Sequence, residues 1–527
     1  MITRLGRLAA LATRYPRLCA LILGAGAACG FQPLALWPLT LLGIAGLLAL
    51  VHRAETGRQA AWIGWAFGVG HFTIGNFWIA TAFTYQAAMP GWLGMIAVVL
   101  LSLYLAVYPA LGALAGWWIG RRNPAAFALA FAGCWTISEW LRSWVFTGFA
   151  WNPLGVAALG PFERPGLAAL APWLGTYALS ALLVLLAACW WFAAVRRKAD
   201  WRGLGLLVVP VMALVVPFSA AQDKAVPGRQ FTLVQPNIPQ EDLNDYRMYE
   251  ANYQRLARLS PARPGQGRRL LLWPESGVPD YLREGYPDRY YLDNYGADPV
   301  LARTRLGRLA GPGTMLLSGT TDLEVERGKA VGARNSVTAL DASGTIRASY
   351  AKAHLVPYGE YLPMRSILTP LGLSRLVPGA LDFWPGPGPQ TLDLGDWGRV
   401  GVQVCYEIIF SGQVVDRNDR PEFLFNPTND GWFGAWGPPQ HLAQARLRAV
   451  EEGLPVLRAT TTGISAVIAA DGTVLRHLPH QTAGRIDGTL PAAHAPTLFS
   501  RTGNALPLGW AAVLLVLALV ASRRRAG

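Results

Sequence analysis

The chain has 527 residues, of which 52% are hydrophobic and only 15% are charged, and it contains 21 tryptophans. This composition is too apolar for a soluble enzyme of that length and indicates several membrane-spanning segments. The formal net charge of +14 does not indicate binding to nucleic acid, because nearly all of it lies at the two termini and in short loops between apolar segments.

Eight apolar segments are long enough, or nearly so, for the roughly 20 residues that a membrane-spanning helix needs. They lie at 18–29, 33–51, 60–84, 92–119, 125–146, 167–195, 204–219 and 506–521. The arginine-rich parts of the chain alternate with arginine-poor ones and are found at the amino terminus, 52–58, 120–123, 195–202 and 523–527. By the positive-inside rule both termini are cytoplasmic, and the long connection at about 221–504 lies outside, in the periplasm of a Gram-negative bacterium.

Several polar residues fall where lipid is expected, namely Asn76, Glu139 and Arg142, with Asn152 nearby. Charges at membrane depth are costly and usually mark a functional site or a buried pair. Glu139 and Arg142 are three residues apart and share one face of a helix, so they can neutralise each other. A structural ion pair and a role in holding a lipid headgroup are both open at this point.

The region outside the membrane alternates short β-rich runs with helical stretches. The predicted strands are 230–235, 270–273, 314–319, 335–340, 400–405, 423–426, 456–459 and 465–470. The predicted helices are 246–259, 300–309 and 439–452. Strands that alternate with helices predict a layered α/β domain.

Only one of the five cysteines, Cys405, lies in this outer region, so no disulfide can form within it. Cys405 follows a β-branched run, and strand ends expose side chains that a core would hide. A lone thiol in an exported domain favours a catalytic nucleophile. The alternative is a small buried cysteine, which is common in protein cores.

Two further residues have the chemistry that a nucleophilic thiol needs. Glu275 follows an apolar run and Pro274, which predicts a candidate general base at the tip of a buried strand. Lys352 lies eight residues before Glu360 in an apolar, aromatic stretch, where it could place a positive charge beside a thiolate and a developing oxyanion. Taken singly, a residue like Glu275 is more often an ordinary loop carboxylate, and Lys352 can be a simply solvated side chain.

Taken together, Glu275, Lys352 and Cys405 resemble the Glu-Lys-Cys triad of the nitrilase, or carbon-nitrogen hydrolase, superfamily. Eight spans with such a domain between the seventh and the eighth resemble the bacterial apolipoprotein N-acyltransferase family. Further matching stretches, spread over almost the whole chain, are 138–142 with 147–149, 234–240, 354–360, and 429–433 with Gln440, His441 and Arg446. The chain departs from the family at 243–245, where some members carry a functionally important Trp and this sequence reads Leu-Asn-Asp.

The resemblance implies a polytopic α-helical membrane protein of about eight transmembrane helices with an inserted α/β domain, a nitrilase-like αββα sandwich. The implied domains are seven transmembrane helices at 1–220, a periplasmic catalytic domain at 221–504, and an eighth helix with a basic cytoplasmic tail at 505–527. The implied catalytic residues are Cys405 as nucleophile, Glu275 as general base and acid, and Lys352 as stabiliser of the oxyanion. The implied supporting residues are Glu360, which positions Lys352, and Tyr406 and Glu407 beside the thiol.

The implied reaction moves an acyl chain from a phospholipid to Cys405, and then to the α-amine of the diacylglyceryl-cysteine of an apolipoprotein. Both substrates are anchored in the bilayer, so the resemblance implies a bacterial inner-membrane enzyme whose site opens to the outer leaflet. Aromatic residues could line an acyl channel or form lids, with plain packing as the alternative: Tyr358, Tyr361, Trp432, Phe433 and Trp436. We expect a monomer, no cofactor and no metal.

Two other functions are open to the same sequence. A membrane-tethered amidase or nitrilase acting on a small C–N substrate has the same triad, but it has no need of polar groups among the spans. A transporter or scaffold with a nitrilase-like binding domain has no need of all three catalytic residues, and the spans show no obvious inverted repeat.

Overall fold

The computed structural model describes residues 13–85, 90–196, 200–216, 225–371 and 381–523. These residues form two compact units, one drawn from 1–80, 91–219 and 497–527 and the other from 81–90 and 220–496. Parts of the predicted basic loops and tail, the end of the seventh apolar segment and the predicted boundary at 220 lie outside the described residues.

The first unit is helical, and each predicted apolar segment contains a helix. The helices are Pro16–Ala28, Trp37–His52, Gly57–Asn76, Leu93–Leu105, Val107–Gly120, Pro124–Arg142, Ala171–Val195, Trp201–Val215, Leu498–Thr502 and Ala505–Arg523. Three described helical stretches are long and apolar enough to cross a membrane, namely Leu93–Gly120, Leu167–Val195 and Ala505–Arg523. The helical character is confirmed, whereas the count of eight spans stays a prediction.

Local sequence explains where several of these helices begin and break. The side chain of Asn123 accepts hydrogen bonds from the N–H groups of Ala125 and Ala126, and Pro124 occupies the first turn, where no N–H partner is needed. The predicted segment 92–119 is two helices, because Pro109 cannot donate to the carbonyl of Leu105 at the point where the first helix ends.

The second unit contains two six-stranded sheets, each with parallel strands at its centre. In the first sheet the order is β12-β1-β2-β3-β4-β5, and in the second it is β11-β10-β9-β8-β7-β6. The strands are β1 Ala225–Gln235, β2 Arg269–Leu272, β3 Thr314–Glu326, β4 Lys329–Leu340, β5 Ile346–Ala351, β6 Thr391–Asp393, β7 Arg399–Val402, β8 Phe423–Thr428, β9 Val456–Thr460, β10 Ala466–Ile468, β11 Val474–His477 and β12 Gly484–Pro491. Pairing is parallel for β1–β2, β2–β3, β7–β8 and β8–β9.

Alternating side chains place the two sheets face to face. Leu270 and Leu272 of β2 join a core shared with Val400 and Val402 of β7, whereas Leu271 points to the opposite face of β2. That opposite face is covered by the helices Tyr249–Leu259 and Pro299–Ala310. The helix Gly437–Glu452 packs against β9 of the second sheet. The predicted α/β layering is confirmed, with helices outside and two sheets inside.

The helix Gly437–Glu452 carries adjacent buried carboxylates at its end. Glu451 pairs with Arg448 at 2.8 Å and accepts a hydrogen bond from Ser411. Burial, followed by the neighbouring Glu451 charge, raises the pKa of Glu452 to about 7. The pKa of Glu in an unfolded chain is ~4.3, so the Glu452 carboxyl stabilises the folded protein at low pH. That stabilisation is lost as the pH rises from about 4.3 to 7.

Glu452→Gln is therefore expected to stabilise the protein at pH 8 but not at pH 4, because Gln never ionises inside the fold. The difference between the two pH values is on the order of 3 kcal/mol. Thermal unfolding in detergent at both pH values measures it. The control is Glu326→Gln, an exposed position on β3, which we expect to match the parent protein at both pH values. An equal shift at the two pH values would contradict the prediction.

Candidate active site

The three predicted catalytic residues follow three different strands of the sandwich. Glu275 lies three residues after β2, Lys352 directly follows β5, and Cys405 lies three residues after β7. All three side chains are buried, and Lys352 is only 1% exposed. Because β2 and β5 belong to one sheet and β7 to the other, the two sheets together assemble the cluster.

Glu275 is held in place by hydrogen bonds to both of its oxygens. Asn335 Nδ2 donates to Oε1 at 2.7 Å, and the backbone N–H of Asn429 donates to Oε2 at 2.8 Å. Lys352 Nζ lies 3.7 Å from Oε1. These contacts fix the carboxylate in one rotamer, which is a requirement for a general base acting on a neighbouring group.

Lys352 is paired more closely with the predicted supporting residue Glu360, at 2.9 Å from Nζ to Oε1. The same Glu360 oxygen accepts from Asn335 Nδ2 at 2.8 Å, and the other accepts from the Val356 N–H. Burial alone would lower the pKa of Lys352, but the carboxylates of Glu360 and Glu275 outweigh it and raise that pKa. Lys352 is therefore an ammonium ion throughout the physiological pH range.

Cys405 does not lie in a strand, which corrects the predicted strand 400–405. Strand β7 ends at Val402, and Cys405 begins the short 3₁₀ helix Cys405–Ile409 with φ of +50°. A left-handed conformation is unfavourable for a residue with a Cβ atom and is found mainly at functional or strained positions. It turns the chain sharply at Cys405.

The environment keeps the thiol protonated in the resting protein. Burial raises the pKa of Cys405 well above its usual value, and the Glu275 charge acts in the same direction, while the Lys352 ammonium opposes both. A thiol of raised pKa has little thiolate at neutral pH, so it needs a base at the moment of attack.

Glu407 joins the loop that carries Lys352 to the loop that carries Cys405. Its Oε1 accepts hydrogen bonds from the Tyr350 hydroxyl and from the N–H groups of Ala353 and His354, at 2.7 to 3.1 Å. Its Oε2 accepts from the Val404 N–H at 2.8 Å. Burial raises the pKa of Glu407 to about 7, against the lowering effects of Lys352 and of these donors.

Sequence reasoning gave no role to Asn335, Asp430 or Arg458. Asp430 accepts from Arg458 Nη2 at 2.7 Å and contacts His441 Nδ1 at 2.9 Å, and all three side chains are buried. Burial would raise the pKa of Asp430, but the Arg458 and His441 charges lower it. Asp430 and His441 lie in matched family stretches, whereas no pattern around Asn335 or Arg458 indicated a polar site.

The aromatic candidates occupy different surroundings. Phe433 packs against the shared core and meets the His441 ring edge to face at 5.9 Å, while Trp432 meets Tyr85 in the same way at 5.8 Å. Tyr406 is buried, with its ring 5.1 Å from that of Phe410. Trp436 is half-buried.

Tyr358 differs from the other aromatic candidates because it is 40% exposed and has φ of +62°. Exposed aromatic side chains in unusual backbone conformations are more typical of a contact surface than of a core. A role for Tyr358 in an acyl channel or a lid stays a prediction.

Glu139 and Arg142 belong to the other compact unit, so the structure does not group them with the triad. Glu139 Oε1 accepts from the Leu154 N–H at 2.8 Å. Arg142 Nη1 donates to the carbonyls of Phe149 and Trp151 at 3.0 and 2.8 Å. Both charged groups thus bind the backbone of the segment that follows their helix, and a role in holding a lipid headgroup stays a prediction.

Among the described residues, no group of three His, Cys, Asp or Glu side chains is arranged to hold a metal ion. The cluster itself consists of a buried thiol, a fixed carboxylate and a permanent ammonium. This set can activate a nucleophile and stabilise negative charge on a carbonyl oxygen.

Two family models match the chain. One, described as the apolipoprotein N-acyltransferase N-terminal domain, matches residues 23–189. The other, described as carbon-nitrogen hydrolase, matches residues 231–495 and includes the whole buried cluster.

Proteins named apolipoprotein N-acyltransferase are similar to this chain over nearly its full length. The one from Rhodopseudomonas palustris is 35% identical over 532 residues, covering 96% of this chain and 95% of that protein. The one from Bradyrhizobium diazoefficiens is 34% identical, with the same two coverages. The one from Ralstonia nicotianae is 34% identical and covers 98% of this chain and 95% of that protein.

Solved structures resemble about half of the chain. An amidase from Nesterenkonia is 22% identical and covers 52% of this chain and 94% of its own, with a TM-score of 0.32. A Saccharomyces cerevisiae member of branch 10 of the nitrilase superfamily is 19% identical and covers 50% and 89%, with a TM-score of 0.35. The family assignment rests on the family models and the full-length relatives: the chain belongs to the apolipoprotein N-acyltransferase family.

Proposed function

We propose that the protein transfers an acyl chain from a phospholipid, through a thioester on Cys405, to the α-amino group of the N-terminal diacylglyceryl-cysteine of apolipoproteins. Membership of the family supports the overall reaction. The observation that carries the mechanism is the buried cluster in which Lys352 Nζ contacts the carboxylates of both Glu360 and Glu275. The Cys405 thiol lies close enough to this cluster for the charges of Lys352 and Glu275 to change its pKa.

In the first half-reaction Glu275 accepts the thiol proton, and the sulfur attacks the ester carbonyl of the phospholipid. The carbonyl oxygen becomes an oxyanion, which the Lys352 ammonium stabilises. When the tetrahedral intermediate collapses, the C–O bond breaks and Glu275 returns the proton to the leaving alkoxide. The products are a lysophospholipid and the Cys405 thioester.

In the second half-reaction the free α-amine of the lipoprotein attacks the thioester carbonyl, and Glu275 accepts one amine proton. Collapse of this intermediate forms the amide and breaks the C–S bond, and Glu275 reprotonates the departing thiolate. The amine must be neutral to attack, and a site closed to water protects the thioester from hydrolysis. Donor and acceptor therefore use one site in turn.

We further propose that the chain is a multi-pass protein of the bacterial inner membrane, with eight spans, a periplasmic catalytic domain and cytoplasmic termini. The proposed divisions are 1–220, 221–504 and 505–527. Apolar helices in the first unit and the arginine-rich short loops support this topology. A monomer is sufficient, because all three catalytic residues come from one chain.

Intact mass spectrometry after incubation with phosphatidylethanolamine of defined acyl chains tests the mechanism. The expected result is one acyl-sized increment that hydroxylamine removes. Addition of a diacylglyceryl-cysteine peptide should discharge the increment onto the peptide amine.

The matched variants are Cys405→Ala and Cys189→Ala, of which the second removes a cysteine from the other unit. The increment should be absent from the first variant and unchanged in the second. Folded protein that gains no increment at short reaction times, or an increment that survives in Cys405→Ala, would contradict the thioester mechanism.

A further inference from the structure

The backbone carbonyl of the nucleophile is bound by a buried side chain that the mechanism above does not use. His441 lies on the helix Gly437–Glu452, and its Nε2 is 3.0 Å from the carbonyl oxygen of Cys405. A carbonyl oxygen can only accept a hydrogen bond, so this contact is a hydrogen bond when Nε2 carries a proton and donates it.

The orientation of the imidazole ring is fixed from its other side. Nδ1 contacts Asp430 Oδ1 at 2.9 Å, and the second oxygen of Asp430 accepts from Arg458 Nη2 at 2.7 Å. An imidazolium matches both acceptors around the ring, whereas burial beside Arg458 opposes its charge. Only the imidazolium donates to both acceptors; of the two neutral tautomers, the one protonated at Nε2 keeps the donation to Cys405.

The carbonyl that His441 binds determines the direction of the next backbone N–H. In a trans peptide the C=O and the following N–H point in opposite directions. Holding the Cys405 oxygen on the His441 side therefore turns the Tyr406 N–H to the opposite edge of the same peptide, away from His441. A backbone N–H directly after a nucleophile is a common donor to the oxyanion in acyl transfer.

The same contact supports the backbone of Cys405 itself. Its φ of +50° is unfavourable for a residue with a side chain, and such conformations persist only where the surroundings enforce them. His441 contributes from the helix, while the Val404 N–H on the preceding residue is held by Glu407. The turn is therefore held from both sides.

We propose that His441 is a positioning residue for the acyl transfer reaction. Through the hydrogen bond from Nε2 to the Cys405 carbonyl, it fixes the orientation of the Cys405–Tyr406 peptide, and with it the direction of the thiol and of the Tyr406 N–H. Asp430 and Arg458 hold the ring so that Nε2 faces this peptide. The inference rests on the proposed function and adds a residue that tunes its first step.

Two amide substitutions test the contacts of Nε2 and Nδ1 separately. His441→Gln can place an amide N–H near the position of Nε2 and keep the donation to Cys405. His441→Asn can place its amide near Nδ1 and keep the contact with Asp430, but it is too short to reach the carbonyl. Both introduce an uncharged amide at the same buried position, so a general effect on folding is similar in the two.

The rate of acyl-enzyme formation from phosphatidylethanolamine is measured by intact mass over time, together with the lipid concentration at half-maximal rate. We expect His441→Asn to be acylated at least about tenfold more slowly than His441→Gln, with the half-saturating concentration unchanged. Alkylation of Cys405 by iodoacetamide, followed at the peptide level, should fall less, because it forms no oxyanion. Thermal unfolding in detergent reports how much of each variant is folded.

Equal acylation rates in the two variants, whether both fast or both slow, would overturn the role of the Nε2 contact. A parallel loss of alkylation and acylation in His441→Asn would also overturn it, because a general disruption of the site produces that pattern. If the parent protein forms no acyl-enzyme, the proposed function fails, and the inference fails with it. If the parent is acylated and the variants do not differ, only the inference fails.

Discussion

Replacing Lys352 by Met is expected to reduce acyl-enzyme formation by about 10²–10³-fold, because the oxyanion loses its nearest permanent positive charge. The same change is expected to lower the free energy of unfolding by about 3–5 kcal/mol. The reason is geometric: Glu360 and Glu275 lie 2.9 and 3.7 Å from Nζ in a buried cluster, and without the ammonium they are two carboxylates without a balancing charge.

The measurement combines the time course of acylation with thermal unfolding at pH 5 and pH 8. The destabilisation should be smaller at pH 5, where an unbalanced carboxylate can take up a proton at lower cost. The control is Lys329→Met, at an exposed end of β4, for which we expect no change in acylation and at most about 0.5 kcal/mol in stability. A stable, acylated Lys352→Met protein would remove Lys352 from the mechanism.

The order of strands and helices could be predicted largely from sequence because it depends on local patterns. β-branched and apolar runs mark β2, β7 and β8, and the buried faces of these strands alternate as such runs require. The strands β6 and β11 could not be predicted, because three or four residues with a single buried side chain are too few to show an alternating apolar pattern.

The candidate site could likewise be predicted where the signal is local in sequence, and not where it depends on contacts between distant parts of the chain. Glu275 and Cys405 could be identified because they lie at the ends of predicted strands, and all three residues, Lys352 included, match a family motif. Asn335 could not be identified, because its contacts to Glu275 and Glu360 join parts of the chain that are distant in sequence. The left-handed turn at Cys405 was also missed, since strand propensity continues into 403–405 and only the packing around the thiol imposes the turn.

Glu407→Gln is expected to lower both the free energy of unfolding and the rate of acylation, because this buried carboxylate accepts four hydrogen bonds, from β5 and the loop after it and from the loop that carries Cys405. Gln has one acceptor oxygen, and its NH₂ group would face at least one of the N–H donors that now bind a carboxylate oxygen. Leaving buried donors unpaired costs roughly 1–3 kcal/mol each, so we expect the free energy of unfolding to fall by about 3 kcal/mol or more. Acylation should fall with it, because Ala353 is next to Lys352 and Val404 is next to Cys405.

Tyr350→Phe provides the graded comparison, since it removes one of the four donors and leaves the Glu407 carboxylate in place. We expect the free energy of unfolding to fall by about 1.5–3 kcal/mol, which is the usual contribution of a hydrogen bond to a charged group. The rate of acylation should stay close to that of the parent protein. Thermal unfolding and acylation time courses of both variants make the comparison. If Glu407→Gln affects stability no more than Tyr350→Phe and leaves acylation intact, the two loops are aligned by the packing of the sheets rather than by this carboxylate. The proposed alignment by Glu407 requires the opposite order, because only the Gln substitution disturbs the backbone on both sides of the cluster.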